Sequence, residues 1–245
     1  MSMKAMLFAA GLGTRLKPLT DNKPKALVEV GGVTLLERCI RQLAANGVSD
    51  IVINVHHFAD QICAFLNAKQ NFGLNIRVSD ERDLLLDTGG GLLKAKPLLT
   101  GNEPILLVNV DILTNLNFRK ILETHRKNPA LATLVVRARQ TTRYLLFNDG
   151  LLSGWKNEKT GEMKISRPEL IEQAEAFAFS GIHLIEPRLI DLITETGKFS
   201  IIDLYLQLAK TETIRAFVDS ESVWMDLGKV DELAQAEKLI KKLDS

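Results

Sequence analysis

Residues 9–25 read AAGLGTRLKPLTDNKPK. An apolar run, Lys4 to Ala9, leads into this stretch and stops at glycine, the pattern of a short buried strand. The residues after that run do not form an ordinary turn. Gly11 and Gly13 leave backbone N–H groups open to an anion, as in a phosphate-cradling nest. Thr14 adds a hydroxyl donor and Arg15 a planar cation that suits phosphate. Pro18 and Pro24 stiffen the path, and Lys25 returns a compact second cation. Leu16 stands where a dinucleotide fingerprint needs glycine, and no Gly-Lys-Ser/Thr occurs at P-loop spacing. The loop reads as an anion site of another type.

Outward from the loop, strand and helix patterns alternate. Thr34-Leu35-Leu36-Glu37 has the form of a capping box. Leu35, Leu36, Cys39, Ile40, Leu43 and Ala44 share one face of the helix it opens, which Gly47 stops. Asp50 to Asn54 predicts a strand, Ala59 to Ala68 a helix and Leu74 to Val78 a strand. Leu92 to Leu99 predicts a short helix opened by glycines 89–91. Pro104 to Val110 is the most strand-like run, and Asn117 caps a helix to Lys127. The expected class is α/β: a Rossmann-like, mixed, mostly parallel sheet flanked by helices. Such sheets bind ligands at the C-terminal ends of their strands, where the glycine loop, His56-His57 and Asp111 fall.

The later part changes character. Leu131 to Ala138, Tyr144 to Asn148, Leu151 to Trp155 and Glu175 to Ile185 predict strands. Pro187 to Glu195 and Ile201 to Lys210 predict helices. Lys229 to Leu243 predicts an amphipathic helix with Val230, Leu233, Ala234, Ile240 and Leu243 on its apolar side. With no repeat or linker in view, one domain is expected over 1–245.

Composition sets limits on partners. The formal net charge is +1, so no global field draws nucleic acid or membrane, and any anion site must be local. No stretch approaches the roughly 18 apolar residues of a membrane span. The N-terminal MSMKAMLFAAGLG lacks the apolar length and cleavage site of a secretory signal, so the cytoplasm is the expected location. Cys39 and Cys63, with no Cys/His cluster, read as buried thiols rather than as a disulfide or zinc site.

The stretch 9–25 resembles the signature of the sugar-1-phosphate nucleotidyltransferases, or NDP-sugar pyrophosphorylases. Gly11, Gly13, Thr14, Arg15, Pro18, Thr20, Pro24 and Lys25 all match as they stand. The resemblance covers nearly the whole chain. It implies a nucleotide-binding half, about 1–130, and a sugar-phosphate-binding half, about 131–245. It implies that the loop, from Phe8 and Ala10 through Gly11, Gly13 and Thr14, wraps a nucleoside triphosphate. Arg15 would hold the leaving β- and γ-phosphates. Lys25 would lie between the α-phosphate and the phosphate of the incoming sugar.

Two carboxylates complete the resemblance. Asp111 ends the strongest strand, in Asn109-Val110-Asp111, and Asp226 lies in Trp224-Met225-Asp226-Leu227-Gly228. From the residues alone, each is either a turn aspartate or half of a Mg²⁺ site completed by phosphates. The family carries Asn-Gly-Asp or a similar triplet and a Trp-x-Asp-x-Gly segment, so the resemblance implies that Asp111 and Asp226 bind Mg²⁺. Val110 in place of glycine is a departure that narrows the space beside the metal. Both aspartates read as loop residues.

Asp87-Thr88-Gly89-Gly90-Gly91 is similar to the base-lining loop of the short uridylyltransferases that act on N-acetylmuramate 1-phosphate. This implies UTP, with Asp87, Thr88 and Gly90 at the nucleotide. Guanylyltransferases for mannose or heptose 1-phosphate carry similar loops, which leaves GTP as an alternative. Gly181, in Ala178-Phe179-Ser180-Gly181-Ile182, resembles the glycine beside the sugar. Larger relatives carry Glu-Lys-Pro on the sugar phosphate; here the nearest match is Ser166-Arg167-Pro168, making Arg167 a candidate. Asn157 is a candidate for sugar hydroxyls, or a turn asparagine. His56, His57 and His183 receive no chemical role.

The expected reaction is Mg²⁺-dependent transfer of a nucleotidyl group from an NTP to a sugar 1-phosphate, in a monomer. A phosphocholine cytidylyltransferase shares the loop and is one rival. A non-catalytic nucleotide or sugar-phosphate sensor is the other, though a binding module has no need of a metal pair.

Overall fold

Side chains alternate along the first strand, β1 (Lys4–Phe8). Ala5 and Leu7 enter one core, Met6 and Phe8 another. A strand apolar on both sides must be covered on both faces. The computed structural model describes residues 2–243, except the side chains of Val230, Asp231 and residues 241–243.

After β1 come the hairpin strands β2 (Glu29–Val30) and β3 (Val33–Thr34), then α1 (Leu35–Ala45), β4 (Asp50–Val55) and α2 (Ala59–Ala68). Next are β5 (Asn75–Asp80), α3 (Asp87–Ala95), β6 (Ile105–Asn109), β7 (Ile112–Thr114) and α4 (Phe118–Lys127). The second half holds β8 (Ala132–Arg137), β9 (Arg143–Asn148), β10 (Leu151–Asn157), β11 (Met163–Ile165) and β12 (Glu175–Ile185). It continues with α5 (Arg188–Asp191), α6 (Ile201–Leu208), β13 (Ile214–Val218), β14 (Trp224–Asp226) and α7 (Val230–Leu243).

A ten-stranded sheet runs β11-β10-β13-β8-β12-β6-β1-β4-β5, with β9 joined to β10 and β12. Strands β6, β1, β4 and β5 are parallel neighbours. β12 is antiparallel to both β6 and β8, so it joins the parallel block to the second half. The short β7 and β14 pair apart from the main sheet. No described helix is long and apolar enough to cross a membrane.

One face of the sheet is covered by α1, α2 and α4 through Leu36, Ile40, Ile62, Phe118 and Ile121. The other is covered by α3 and α6 through Leu92, Leu204 and Tyr205. A third, smaller cluster joins Ala236 and Ile240 of α7 to Leu16, Leu113 and Leu227. It supports, from below, the loop of Arg15 and the end of β14. Burying side chains of this size stabilises by roughly 1.5–3 kcal/mol each.

Local signals mostly act as expected. The Thr34 hydroxyl accepts from the Glu37 amide, although the Glu37 carboxylate turns away to Arg41 and Lys69. Several expectations change. The glycines do not precede the helix but lie inside it, in the first turns of α3. α5 is shorter than Pro187–Glu195, because the chain after it turns back to the start of α3: the Phe199 amide donates to Leu86 O and the Gly89 amide to Phe199 O. Strands β2, β3, β7, β11, β13 and β14 were not read from the sequence. Asp226 is therefore a strand residue, not a loop one. Cys39 is buried but Cys63 is only half-buried. In α7, Ala234 is exposed and Ala236 is buried instead, while the side chains of Val230 and Leu243 lie outside the described residues.

Candidate active site

β1 ends level with its neighbours, with Phe8 beside Asn54 of β4 and beside Asn109 of β6. A cleft of about 420 Å³ opens there. Phe8, Ala10, Gly11, Gly13, Thr14, Arg15, Lys25, Asp87, Thr88 and Asp111 all line it.

The loop is shaped by close approach. Gly13 has φ +67°, and a Cβ there would lie 3.0 Å from both Lys25 Cβ and Thr20 Cγ2. Thr20 donates its hydroxyl to the Gly13 carbonyl at 2.9 Å. The loop thus folds back until Lys25 lies against it. Within the loop, the amides of Gly11, Leu12, Gly13 and Thr14 find no acceptor among the described residues, which leaves a donor-rich, cationic surface. A Cβ on Gly11 would meet nothing within 4 Å, so its freedom serves open space.

The β7/β14 pair sets Asp226 opposite Ile112, and the Leu227 amide donates to the Asp111 carbonyl at 2.9 Å. Two aspartates far apart in sequence are thereby brought together. Lys25, itself buried, donates to Asp111 Oδ2. Burial pushes the Asp226 carboxyl up, as does Asp111; Lys25 and Arg15 oppose this. Gly228 lets these groups converge, since a Cβ there would lie 2.9 Å from Asp226 Oδ1 and 3.0 Å from the Arg15 guanidinium.

A metal can be tested against this donor set. Asp226 Oδ1 is buried and has no hydrogen-bond partner among the described residues. Among the same residues no group of three or more His, Cys, Asp or Glu gathers. Two hard carboxylates with room for phosphate oxygens suit Mg²⁺, which takes few protein ligands beside substrate phosphates. Val110, though largely buried, is among the residues that line the cleft beside Asp111.

Three expected residues lie elsewhere or act otherwise. Gly90 does not line the cleft; a Cβ there would come within 2.2 Å of the Gly197 carbonyl, so its role is close packing against loop 197–199. Arg167, the expected sugar-phosphate cation, donates to the carbonyls of Ala209 at 2.7 Å and Glu212 at 3.1 Å, beyond the C-terminal end of α6. Asn157 is the last residue of β10, and its side chain accepts from the Lys159 amide. Gly181 fits better. It has φ +72°, lies where β12 is irregular, and a Cβ on it would meet Asn109 Nδ2 at 2.9 Å.

A buried strut beneath the loop was not foreseen from the sequence. Asn54 Oδ1 accepts from the Ala9 amide at 2.7 Å and the Ala10 amide at 3.3 Å. Asn54 Nδ2 donates to Glu81 Oε1 at 2.7 Å, and Glu81 Oε2 accepts from the Leu86 amide at 3.3 Å. One carboxylate therefore ties the glycine loop to Leu86, at the start of α3. Burial pushes the Glu81 carboxyl up, against the hydrogen bonds from Asn54 and Leu86. The available signal was a polar residue near the end of each of two adjacent strands, Asn54 one residue before the end of β4 and Glu81 one residue past β5. Thr88 carries a second tie: its hydroxyl accepts from the Ile201 amide at 3.0 Å. Lys198, also unforeseen, is an exposed cation on the cleft wall. His56 Nδ1 lies 2.6 Å from Glu81 O, and His183 Nδ1 pairs with the Tyr205 hydroxyl.

A family model for nucleotidyl transferases matches residues 4–242. The chain belongs to the nucleotidyl transferase family. N-acetylmuramate α-1-phosphate uridylyltransferase of Caulobacter vibrioides is 34% identical over 233 residues, 91% of this chain and 91% of the relative. Mannose-1-phosphate guanyltransferase of Yarrowia lipolytica is 32% identical over 234 residues, which is 93% of this chain but 61% of the longer relative. HddC of Yersinia pseudotuberculosis, solved with GMP-PN, shares the fold at 20% identity, with a TM-score of 0.75 over 98% of this chain and 100% of that one. This nucleotidyl transferase is a sugar-1-phosphate nucleotidyltransferase.

Proposed function

We propose that this enzyme transfers UMP from UTP to a hexose 1-phosphate of the N-acetylmuramate type. It would release pyrophosphate and supply a UDP-sugar for cell-wall or glycan synthesis in the cytoplasm. The observation that carries the reading is the convergence of Asp111, Asp226, Lys25 and Arg15 at the end of a donor-rich glycine loop. The uridylyl choice is supported by the Caulobacter relative, which this chain matches over nearly its whole length.

The two halves would divide the substrates: about 1–130 for the nucleotide, about 131–245 for the sugar phosphate. The open amides of Gly11 to Thr14 and the Arg15 guanidinium would hold the β- and γ-phosphates. An oxygen of the sugar phosphate attacks the α-phosphorus in line. A new P–O bond forms there as the bond to the bridging oxygen breaks, and that oxygen leaves with its electron pair on pyrophosphate. Lys25 would stabilise charge at the reacting phosphate. No general base is required, because a phosphate monoester is already ionised near neutral pH. Asp111 and Asp226 would hold Mg²⁺, whose charge offsets repulsion between the two anionic substrates. Positioning supplies much of the rate.

The test is a pyrophosphate-release assay that crosses four NTPs with N-acetylmuramate, mannose, heptose and glucose 1-phosphates and with phosphocholine. UTP is expected to exceed GTP in kcat/KM by about tenfold or more, near 1.4 kcal/mol, which one discriminating contact supplies. A preference for GTP overturns the uridylyl choice and leaves the transferase site standing. Turnover of phosphocholine with CTP in place of any sugar phosphate overturns the acceptor.

A further inference from the structure

With Arg167 committed to backbone carbonyls past α6, the acceptor side needs another cation. Arg137 and Arg139, at the end of β8, point to it by contrast. Arg137 is neutralised by the Asp219 carboxylate at 2.8 Å. Arg139 has no carboxylate within salt-bridge range among the described residues. Its only acceptors there are carbonyls, Phe179 O at 3.1 Å and Gln140 O at 3.4 Å. Its Nε is buried and has no acceptor among the same residues. Burial draws the guanidinium down, partly offset by Asp226. A partly desolvated cation left unpaired is costly, and such groups are normally satisfied by an anion.

Its surroundings define which anion. Arg139 lies over the ring of Trp224, 4.4 Å from its centroid. Trp224 is fixed in turn by donating Nε1 to Ser180 O at 2.9 Å. The next residue of β12 is Gly181, which abuts Asn109 at the end of β6. In the order β8-β12-β6-β1, two strands separate the strand before Arg139 from the one that leads into the glycine loop. Asp226 lies close enough to act on the Arg139 charge, so an anion held by Arg139 would lie near a carboxylate of the reacting centre.

We propose that Arg139 binds the phosphate of the sugar 1-phosphate and aligns it for attack, held in place by stacking on Trp224. The assignment rests on the acceptor being a sugar 1-phosphate. Full-length Arg139→Ala and Arg139→Lys are assayed with UTP and GTP against N-acetylmuramate, mannose and glucose 1-phosphates. Arg139→Ala is expected to raise the KM for the sugar 1-phosphate about tenfold or more while the NTP KM moves by no more than about twofold. Arg139→Lys should recover part of the loss, since it keeps charge but not the planar fork. Should Arg139→Ala not fold, Arg139→Gln, which retains a donor for Phe179 O, carries the same test. Trp224 gives a second readout: in Trp155→Phe protein its emission should respond saturably to the sugar 1-phosphate, and Arg139→Ala should abolish that response. An unchanged sugar-phosphate KM, or an equal rise in both KM values, overturns the proposal. Failure of the unaltered protein to saturate with any sugar 1-phosphate is a different outcome, and overturns the acceptor reading beneath it.

Discussion

The two halves of the sheet present a ligand with different materials. At the ends of the parallel strands β1, β4 and β6, the surface is largely backbone: one contiguous loop with open amides, braced by the buried Asn54–Glu81 strut. On the antiparallel side, β8, β12 and β14 and the residues that flank them offer individual side chains that come together only through pairing, as Arg139, Trp224 and Asp226 do. A backbone cradle suits what every nucleotide shares, its phosphates. Dispersed side chains suit what differs between acceptors. The first kind is a local feature of the chain; the second depends on the whole fold.

The largest effect should come where the halves meet. Asp111→Asn and Asp226→Asn are each expected to lower kcat by about two or more orders of magnitude, measured at saturating Mg²⁺. Because burial and Asp111 disfavour the charged form of Asp226, Asp226→Asn should melt no lower than the unaltered protein in EDTA. Near-normal turnover in either variant would remove that residue from the metal site.

Next come the cations of the cradle. Lys25→Ala should depress kcat with every NTP, whereas Arg15→Ala should chiefly raise the NTP KM. If both variants change only the sugar-phosphate KM, the division of labour between the halves fails.

Gly90→Val sharpens the comparison further. A pocket-filling side chain would leave the melting temperature alone. The structure instead sets the new Cβ against the Gly197 carbonyl, so both stability and NTP affinity should fall, the first by about 1–3 kcal/mol as in overpacked cores. Denaturant melts beside NTP kinetics separate the two accounts. Glu81→Ala should act similarly, leaving the Asn54 and Leu86 donors unmet at about 1–3 kcal/mol. Glu81→Gln, whose single carbonyl oxygen can replace only one of the two carboxylate acceptors, should recover no more than part of the loss; full recovery would show that one of the two ties is dispensable.

The smallest effect on turnover is expected at His183, which touches Tyr205 and the Phe8 ring rather than the cleft. Burial holds it at about 3, far below 6.5, so it stays neutral in the fold while the unfolded chain takes a proton. Its contribution is fully present above pH 6.5 and is lost as pH falls towards 3, by up to roughly 1.4 kcal/mol per pH unit. His183→Gln should flatten that acid limb of the stability profile and leave neutral-pH kinetics unchanged; an unaltered limb would show that another group governs it. Cys39, whose thiol burial pushes up to about 12, should resist alkylation until the protein unfolds, while half-buried Cys63 reacts first.

The chain's own order determined a good deal. Alternating apolar runs gave the parallel block, because a strand's two faces and a helix's one face are periodic in sequence. Gly11, Gly13, Thr14, Arg15 and Lys25 were legible because one loop holds them, and backbone freedom is written where it is used. The glycines of α3 were legible as unusual but not as helical. Three glycines oppose a helix by about 1 kcal/mol each relative to alanine, and only contact with Phe199, Gly197 and the Asn54–Glu81 strut shows why side chains were excluded there. β14 was missed because a three-residue strand carries too short a pattern, and its partner β7 is distant in sequence. Arg167 and Arg139 illustrate the same limit. Both are arginines near apolar strands, and nothing local separates them. Which one meets the carbonyls of Ala209 and Glu212 and which lies over Trp224 was decided by how β8, β12 and α6 pack, since the partners of a long side chain come from elsewhere in the fold.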